Sequence, residues 1–121
     1  MGIRVVKLKE KFESFTDFWN PKIVGELHGQ QVKLAKFKGE FIAHRHENED
    51  EMFLVIAGTL LMEIDNKTLK INAGEFVVIP KGTMHKPIAD DEVHVMLFEP
   101  ASTLNTGNMK NRLTVNNLDS I

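Results

Sequence analysis

No cysteine occurs among the 121 residues of the chain. That absence excludes a disulfide framework, a thiolate zinc finger, a Cys-held iron–sulfur cluster and a thiol nucleophile, so any metal must be held through nitrogen and oxygen. Net charge is nearly absent as well, since 15 Lys plus Arg against 17 Asp plus Glu leave −2. With no Arg-rich block, there is no cationic field for DNA or RNA phosphates, and nucleic acid is not an expected partner. Long apolar runs are also missing: a run such as Met52 to Ala57 falls far short of the roughly 20 residues that cross a bilayer. The basic start, Met1 to Glu10, lacks the apolar core of a secretory signal, and Val6 stands where a myristoylation motif beginning at Gly2 wants Ser or Thr. A cytoplasmic protein without membrane contact is expected. The rest is ordinary globular material, 42% apolar and 26% charged, at a length that predicts one domain over residues 1–121.

Periodicity divides that domain into three parts. Phe12, Phe15, Phe18 and Trp19 recur at helical spacing until Asn20-Pro21 closes the segment, which predicts a short helical or irregular N-terminal stretch covering the main body, residues 1–30. From Gln31 the pattern changes to short β-like runs: Val32 to Phe37, Phe41 to His46, Met52 to Ala57, Thr59 to Asp65, Thr68 to Asn72, Glu75 to Ile79 and Val93 to Glu99. Turn residues separate them, among them Gly39, Gly58, Ala73-Gly74, Pro80-Lys81-Gly82 and Ala89-Asp90-Asp91. Many short, evenly spaced strands imply an all-β antiparallel sandwich or barrel, residues 31–100, with a polar tail over 101–121. That tail either covers the barrel or exchanges with a neighbouring subunit.

Of the five histidines, three stand in a suggestive pattern. His44 and His46, two apart, project from the same side of a strand. Glu51 opens the next strand after a short polar loop, where hairpin pairing can bring its carboxylate beside that pair, and His85 follows the Pro80-Lys81-Gly82 turn. Taken singly, each is more often an incidental surface group; their joint spacing carries the reading. Three imidazoles and a carboxylate suit one divalent transition metal per chain, Fe, Mn, Ni, Zn or Cu, rather than Ca or Mg. Four protein ligands would leave positions open for water, oxygen or substrate.

The runs Gly39, His44, His46, Glu51, Gly58 and Gly74, Pro80, Gly82, His85 resemble the two cupin motifs. His44-x-His46 is followed by four residues and Glu51, then six and Gly58; Gly74 is followed by five residues and Pro80, one and Gly82, two and His85. Two departures are Gly39, one residue closer to His44 than usual, and Ala89, where the second motif often has Asn. The resemblance implies a jelly-roll β-barrel, a double-stranded β-helix, with His44, His46, Glu51 and His85 as metal ligands. The chain is similar to the small stand-alone bacterial cupins grouped with mannose-6-phosphate isomerase, and the resemblance implies a homodimer.

With Glu51 pointing inward, Phe53 and Val55 follow by the period-two rule and become pocket candidates, together with His94 on a later strand. Met52, Leu54 and Ile56 make the opposite face of the same run equally apolar, so something must cover it. The function expected is metal-dependent chemistry on a small organic molecule, either a dioxygenase using Fe(II) or an isomerase using a Lewis-acid metal. The alternatives are a non-catalytic ligand-binding or sensor protein, and a sugar-phosphate isomerase, which would need more cationic residues facing the pocket than Arg4, Arg45 and Arg112 offer.

Overall fold

The computed structural model of the chain describes residues 2–121. One helix, α1 (Leu8–Glu13), precedes seven strands: β1 (Lys22–Leu27), β2 (Gln30–Glu40), β3 (Glu51–Ala57), β4 (Thr59–Ile64), β5 (Lys67–Asn72), β6 (Phe76–Ile79) and β7 (Lys86–Pro100). All pairings between named strands are antiparallel, in the order β1-β2-β7-β3-β6, with β4 joined to both β5 and β7. The fold is the jelly-roll barrel. β7 is the element common to both layers: its first residues pair with β4, and its later ones lie between β2 and β3.

The interior follows from period-two alternation. Phe53 and Val55 of β3, Leu60 and Met62 of β4, and Val93, Val95 and Leu97 of β7 all point into one apolar core. Gly58, the single residue between β3 and β4, has φ +86, and a Cβ there would lie 2.8 Å from the carbonyl oxygen of Glu92. Only glycine fits so tight a passage against a neighbouring strand.

Several expectations change. The segment Phe41 to His46 is not a strand; β2 ends at Glu40, and this stretch is tied down by an isolated bridge between His44 and His85 and by single backbone bonds such as Phe41 N–H to Pro87 O. Ala89-Asp90-Asp91 is no turn but lies within the long β7, where Ala89 pairs with Gly39 and the register shifts before Val93 pairs with Phe37, so pairing on both sides carries the strand through the aspartates despite their low strand propensity. The aromatic N-terminal stretch is helical only to Glu13, and β1 was hidden in the remainder of residues 1–30. Its aromatics then divide. Phe12 and Phe15 pack on the outside of the sheet with Val24 and Leu34, whereas Trp19 enters the barrel, stacked on Phe37 at 4.2 Å and on Phe41 at 4.7 Å. Its indole N–H donates to the carbonyl of Lys38 at 2.9 Å, which satisfies its one polar atom. Among the described residues no helix is long and apolar enough to cross a membrane.

Candidate metal centre

His44, His46, Glu51 and His85 are brought together and buried, and one ligating atom from each lies within 4.8 Å of the others. Different pieces of chain supply them. His44 and His85 face each other across a two-bond bridge, with His44 N–H donating to His85 O at 2.9 Å and His85 N–H to His44 O at 2.8 Å. Glu51 is the first residue of β3 and points inward with Phe53 and Val55. The loop between is drawn in by Gly82 N–H, which donates to His46 O at 2.7 Å.

The orientation of the rings bears on what they can hold. In both His44 and His85, Nδ1 lies 2.9 Å from a backbone carbonyl, that of Ile42 and of Thr83 respectively. A carbonyl only accepts, so each Nδ1 carries the proton and each Nε2 is left with a free lone pair. Such carbonyl-anchored imidazoles are the usual support behind metal-ligating histidines. Burial, and the repulsion a charged His44 would meet from a protonated His85, lower the pKa of His44 to about 4, which keeps its ring neutral. Glu51 Oε1 stands 3.3 Å from the Nε2 of both His46 and His85, yet His46 Nε2 is buried without a well-directed hydrogen-bond partner. A buried nitrogen orphaned beside a carboxylate and two lone pairs is what a bound cation would satisfy. The donor set therefore fits a divalent transition metal.

Beside the cluster lies a small cavity, about 30 Å³ measured to the centres of water-sized molecules, walled by Trp19, Phe37, Phe41 and Phe53 and large enough for one or two waters. No Lys or Arg lines it among the described residues; His44, Glu51, Glu99 and Asn105 are its polar groups. Phe53 is part of that wall and Val55 is buried in the adjoining core. His94 is not in the pocket. It faces outward on β7, stacked on Phe12 at 4.6 Å and bonded to Glu92 at 2.7 Å, because it shares its phase with the outward Met96 and Phe98 rather than the inward Val93 and Val95.

One element escaped the sequence reading, and another was present there only as one of two alternatives. The first is a buried ion pair, Lys33 Nζ to Glu99 Oε1 at 2.9 Å. Burial first, then the charge of Glu51, push the Glu99 carboxyl well above the usual carboxylate range against the pull of Lys33. Burial also pushes Glu51 upward, but contacts from Glu99, His46 and His85 outweigh it and hold Glu51 well below that range. Glu51 thus carries the negative charge nearest the histidines. The signal was present in the sequence: Glu99 continues the inward run Val93, Val95, Leu97, and Lys33 continues Ala35 and Phe37. The second is the stretch 101–115, which is no loose tail. It straps the site from outside, with Asn108 N–H donating to Arg45 O and Asn108 Oδ1 accepting from Arg45 N–H, both at 2.9 Å. A Cβ on Gly107 would collide with the Arg45 carbonyl and stand 3.1 Å from His44 Cδ2. Thr106 Oγ1 bonds Thr114 Oγ1 at 2.7 Å and Asn105 bonds Leu113 O at 2.8 Å, so the strap is tied to itself.

Comparison with known proteins gives the same pattern. The Cupin_2 family profile, described as Cupin domain, matches residues 31–99. The chain is 36% identical over 81 residues to the uncharacterized protein YdbB of Bacillus subtilis, covering 66% of each. It is similar to the crystal structure of a cupin-2 domain containing protein from Shewanella frigidimarina at 41% identity, TM-score 0.78, covering 79% of this chain and 94% of that one. The crystal structure of NMB1881 from Neisseria meningitidis matches at 26% identity, TM-score 0.75, covering 81% of this chain and 100% of that one.

Proposed function

This chain belongs to the cupin family, and from that premise we propose that it binds one divalent transition metal per chain through His44, His46, Glu51 and His85 and acts on a small neutral organic molecule. The observation that carries the reading is the preset pair of rings, each Nδ1 tied to a carbonyl, beside the orphaned His46 Nε2. A bound metal would supply Lewis acidity, or oxygen chemistry if the metal is redox-active. The chain's own groups do the rest. The His44 ring, kept neutral, and the ionised Glu51 present their lone pairs in a dry site, and the aromatic wall of Trp19, Phe37, Phe41 and Phe53 excludes bulk water beside them. The small aromatic cavity offers no Lys or Arg to a phosphate or carboxylate, whereas the wider hollow that reaches His85 is lined by Lys67 and Lys86, so the sugar-phosphate isomerase reading stands as the second alternative. We assign the assembly as a homodimer.

Elemental analysis of protein loaded with Fe(II), Mn, Ni, Zn or Cu and then desalted should give one metal per chain, and none for the double variant His44→Ala, His46→Ala, which should remain folded by circular dichroism. A folded wild-type chain that retains no metal after loading overturns the proposal. Loaded protein that binds neutral small molecules without consuming them or oxygen would make it a binder rather than an enzyme.

A further inference from the structure

The donor cluster is sealed. His44, His46, Glu51 and His85 are each at most 4% exposed, and the cavity beside them holds one or two waters, too little for the organic molecule proposed above. Part of the molecule must move before such a ligand can arrive, and the pieces around the site are held in two different ways. The barrel wall is strand-paired and packed through Phe37, Phe53, Val55 and Leu97. The strap, residues 101–115, sets Leu113 against the core but is held chiefly to itself: Gly107 N–H donates to Leu104 O at 2.9 Å, Met109 N–H to Thr106 O at 3.0 Å, and Asn105 ties Leu113 and Val115. Both flanks are pinned, by Ala101 N–H to Gly29 O and, past the far end, by Ile23 N–H to Asp119 O. Across the seam to the histidine loop, among the described residues, the strap makes three hydrogen bonds: two between Asn108 and Arg45, and one from Ser102 Oγ to Glu49 Oε2 at 2.8 Å. The two that use strap side chains are exposed. A hollow of about 230 Å³ already runs along this seam, from Ser102, Leu104 and Asn108 to His46.

We infer that the strap is the gate of this site, opening as a unit along its seam with residues 45–49 while the barrel stays folded. A segment with few buried apolar contacts and exposed hydrogen bonds belongs to the low-stability end of local opening. Pinned flanks and its own internal bonds let it swing without unfolding, as a lid over a water-excluding site does. What keeps it shut is small and specific: Asn108 on Arg45, Ser102 on Glu49, and Gly107 resting on His44, where a Cβ would stand 3.1 Å from Cδ2. Lifting it uncovers His44 and His46, which lie at the seam. The wider hollow that reaches His85 is bounded by Glu63 and Lys86, paired between β4 and β7, so entry there would break a sheet, whereas entry at the seam breaks three bonds. The inference deepens the reading proposed above, since it concerns access to the same donors, and its test needs no metal.

Diethyl pyrocarbonate acylates imidazoles that solvent can reach, and peptide mass spectrometry of the full-length, metal-free chain reads the rate at each histidine separately, with His28, exposed in a turn, as internal reference. Ser102→Ala combined with Asn108→Ala should raise the rates at His44, His46 and His85 about tenfold, the worth of the two side-chain hydrogen bonds removed, and leave His28 unchanged. A disulfide across the seam, from Glu49→Cys with Ser102→Cys in a chain without native cysteine, should lower the three rates about tenfold, and dithiothreitol should restore them. Leu60→Ala, which weakens the barrel core, separates a gate from general unfolding and should leave the three rates close to those of the wild type. Rates that ignore the Ser102→Ala, Asn108→Ala pair, or that rise with Leu60→Ala at least as much as with that pair, overturn the gate. Gated rates in a chain that retains no metal after loading uphold the gate and overturn the metal reading alone.

Discussion

The inner face of the barrel changes character along two paired strands. β3 begins inward with Glu51 and ends with Val55; β7 runs antiparallel beside it, from Val93 and Val95 to Glu99. At the apolar end, Leu60, Met62, Val93 and Val95 fill space, and stability there depends on volume. At the polar end, Lys33, Glu99, Glu51 and three histidines are equally buried, and stability depends on every group having its partner. The difference teaches that burial in this chain does not select for residue class; it is met by packing at one end and by pairing at the other, with His46 Nε2 and Glu99 Oε2 left as unpaired atoms at the polar end.

The contrast can be broken from either end. The largest effect is expected from Glu99→Leu, which leaves the ammonium of Lys33 buried without its carboxylate and should cost about 3–5 kcal/mol in denaturant unfolding. Adding Lys33→Met should return much of that loss, since a matched apolar pair needs no partner; equal instability of the single and double variants would show that volume governs this end too. Next, Leu60→Ala at the apolar end should cost about 2–5 kcal/mol through the cavity it leaves, with metal stoichiometry unchanged. An acid titration of metal-free protein sharpens the polar side. His44 takes up a proton at about pH 4 when folded and at 6.5 ordinarily, so between those values the unfolded chain holds a proton the folded one lacks. Its contribution is full above pH 6.5 and is lost as pH falls toward 4, on the order of 3 kcal/mol; His44→Ala should flatten that part of the stability curve. Smallest is His94→Ala, outside the barrel, where loss of the Phe12 stack and the exposed Glu92 pair should cost no more than about 1.5 kcal/mol, without changing metal binding.

Much of this was readable in the chain. Alternation gave the inward residues of β3 but on β7 offered His94, which faces out, and the spacing of His44, His46, Glu51 and His85 pointed to residues that the fold does gather. What failed to show has a common physical cause. His44 and His46 are not held by strand periodicity but by the bridge to His85 and by Gly82, contacts made across long sequence separations. β1 alternates too weakly to stand out, because Gly25 and the exposed Glu26 and Leu27 break its pattern. Lys33 and Glu99 obeyed the period-two rule, but a charged residue in an inward position is legible only once its opposite partner is known. The strap was least visible of all: a polar sequence that folds through side-chain bonds of Asn105, Thr106 and Asn108 carries no hydrophobic period.

That strap has a consequence in time. All four donor residues precede it in the chain, His85 being the last of them, so during N-to-C synthesis the histidines emerge before residues 101–115 can reach them. Gly107, which lies against His44 without room for a Cβ, is thus made after every residue of the cluster it covers, so a chain stopped before residue 101 would carry all four donors and none of their cover.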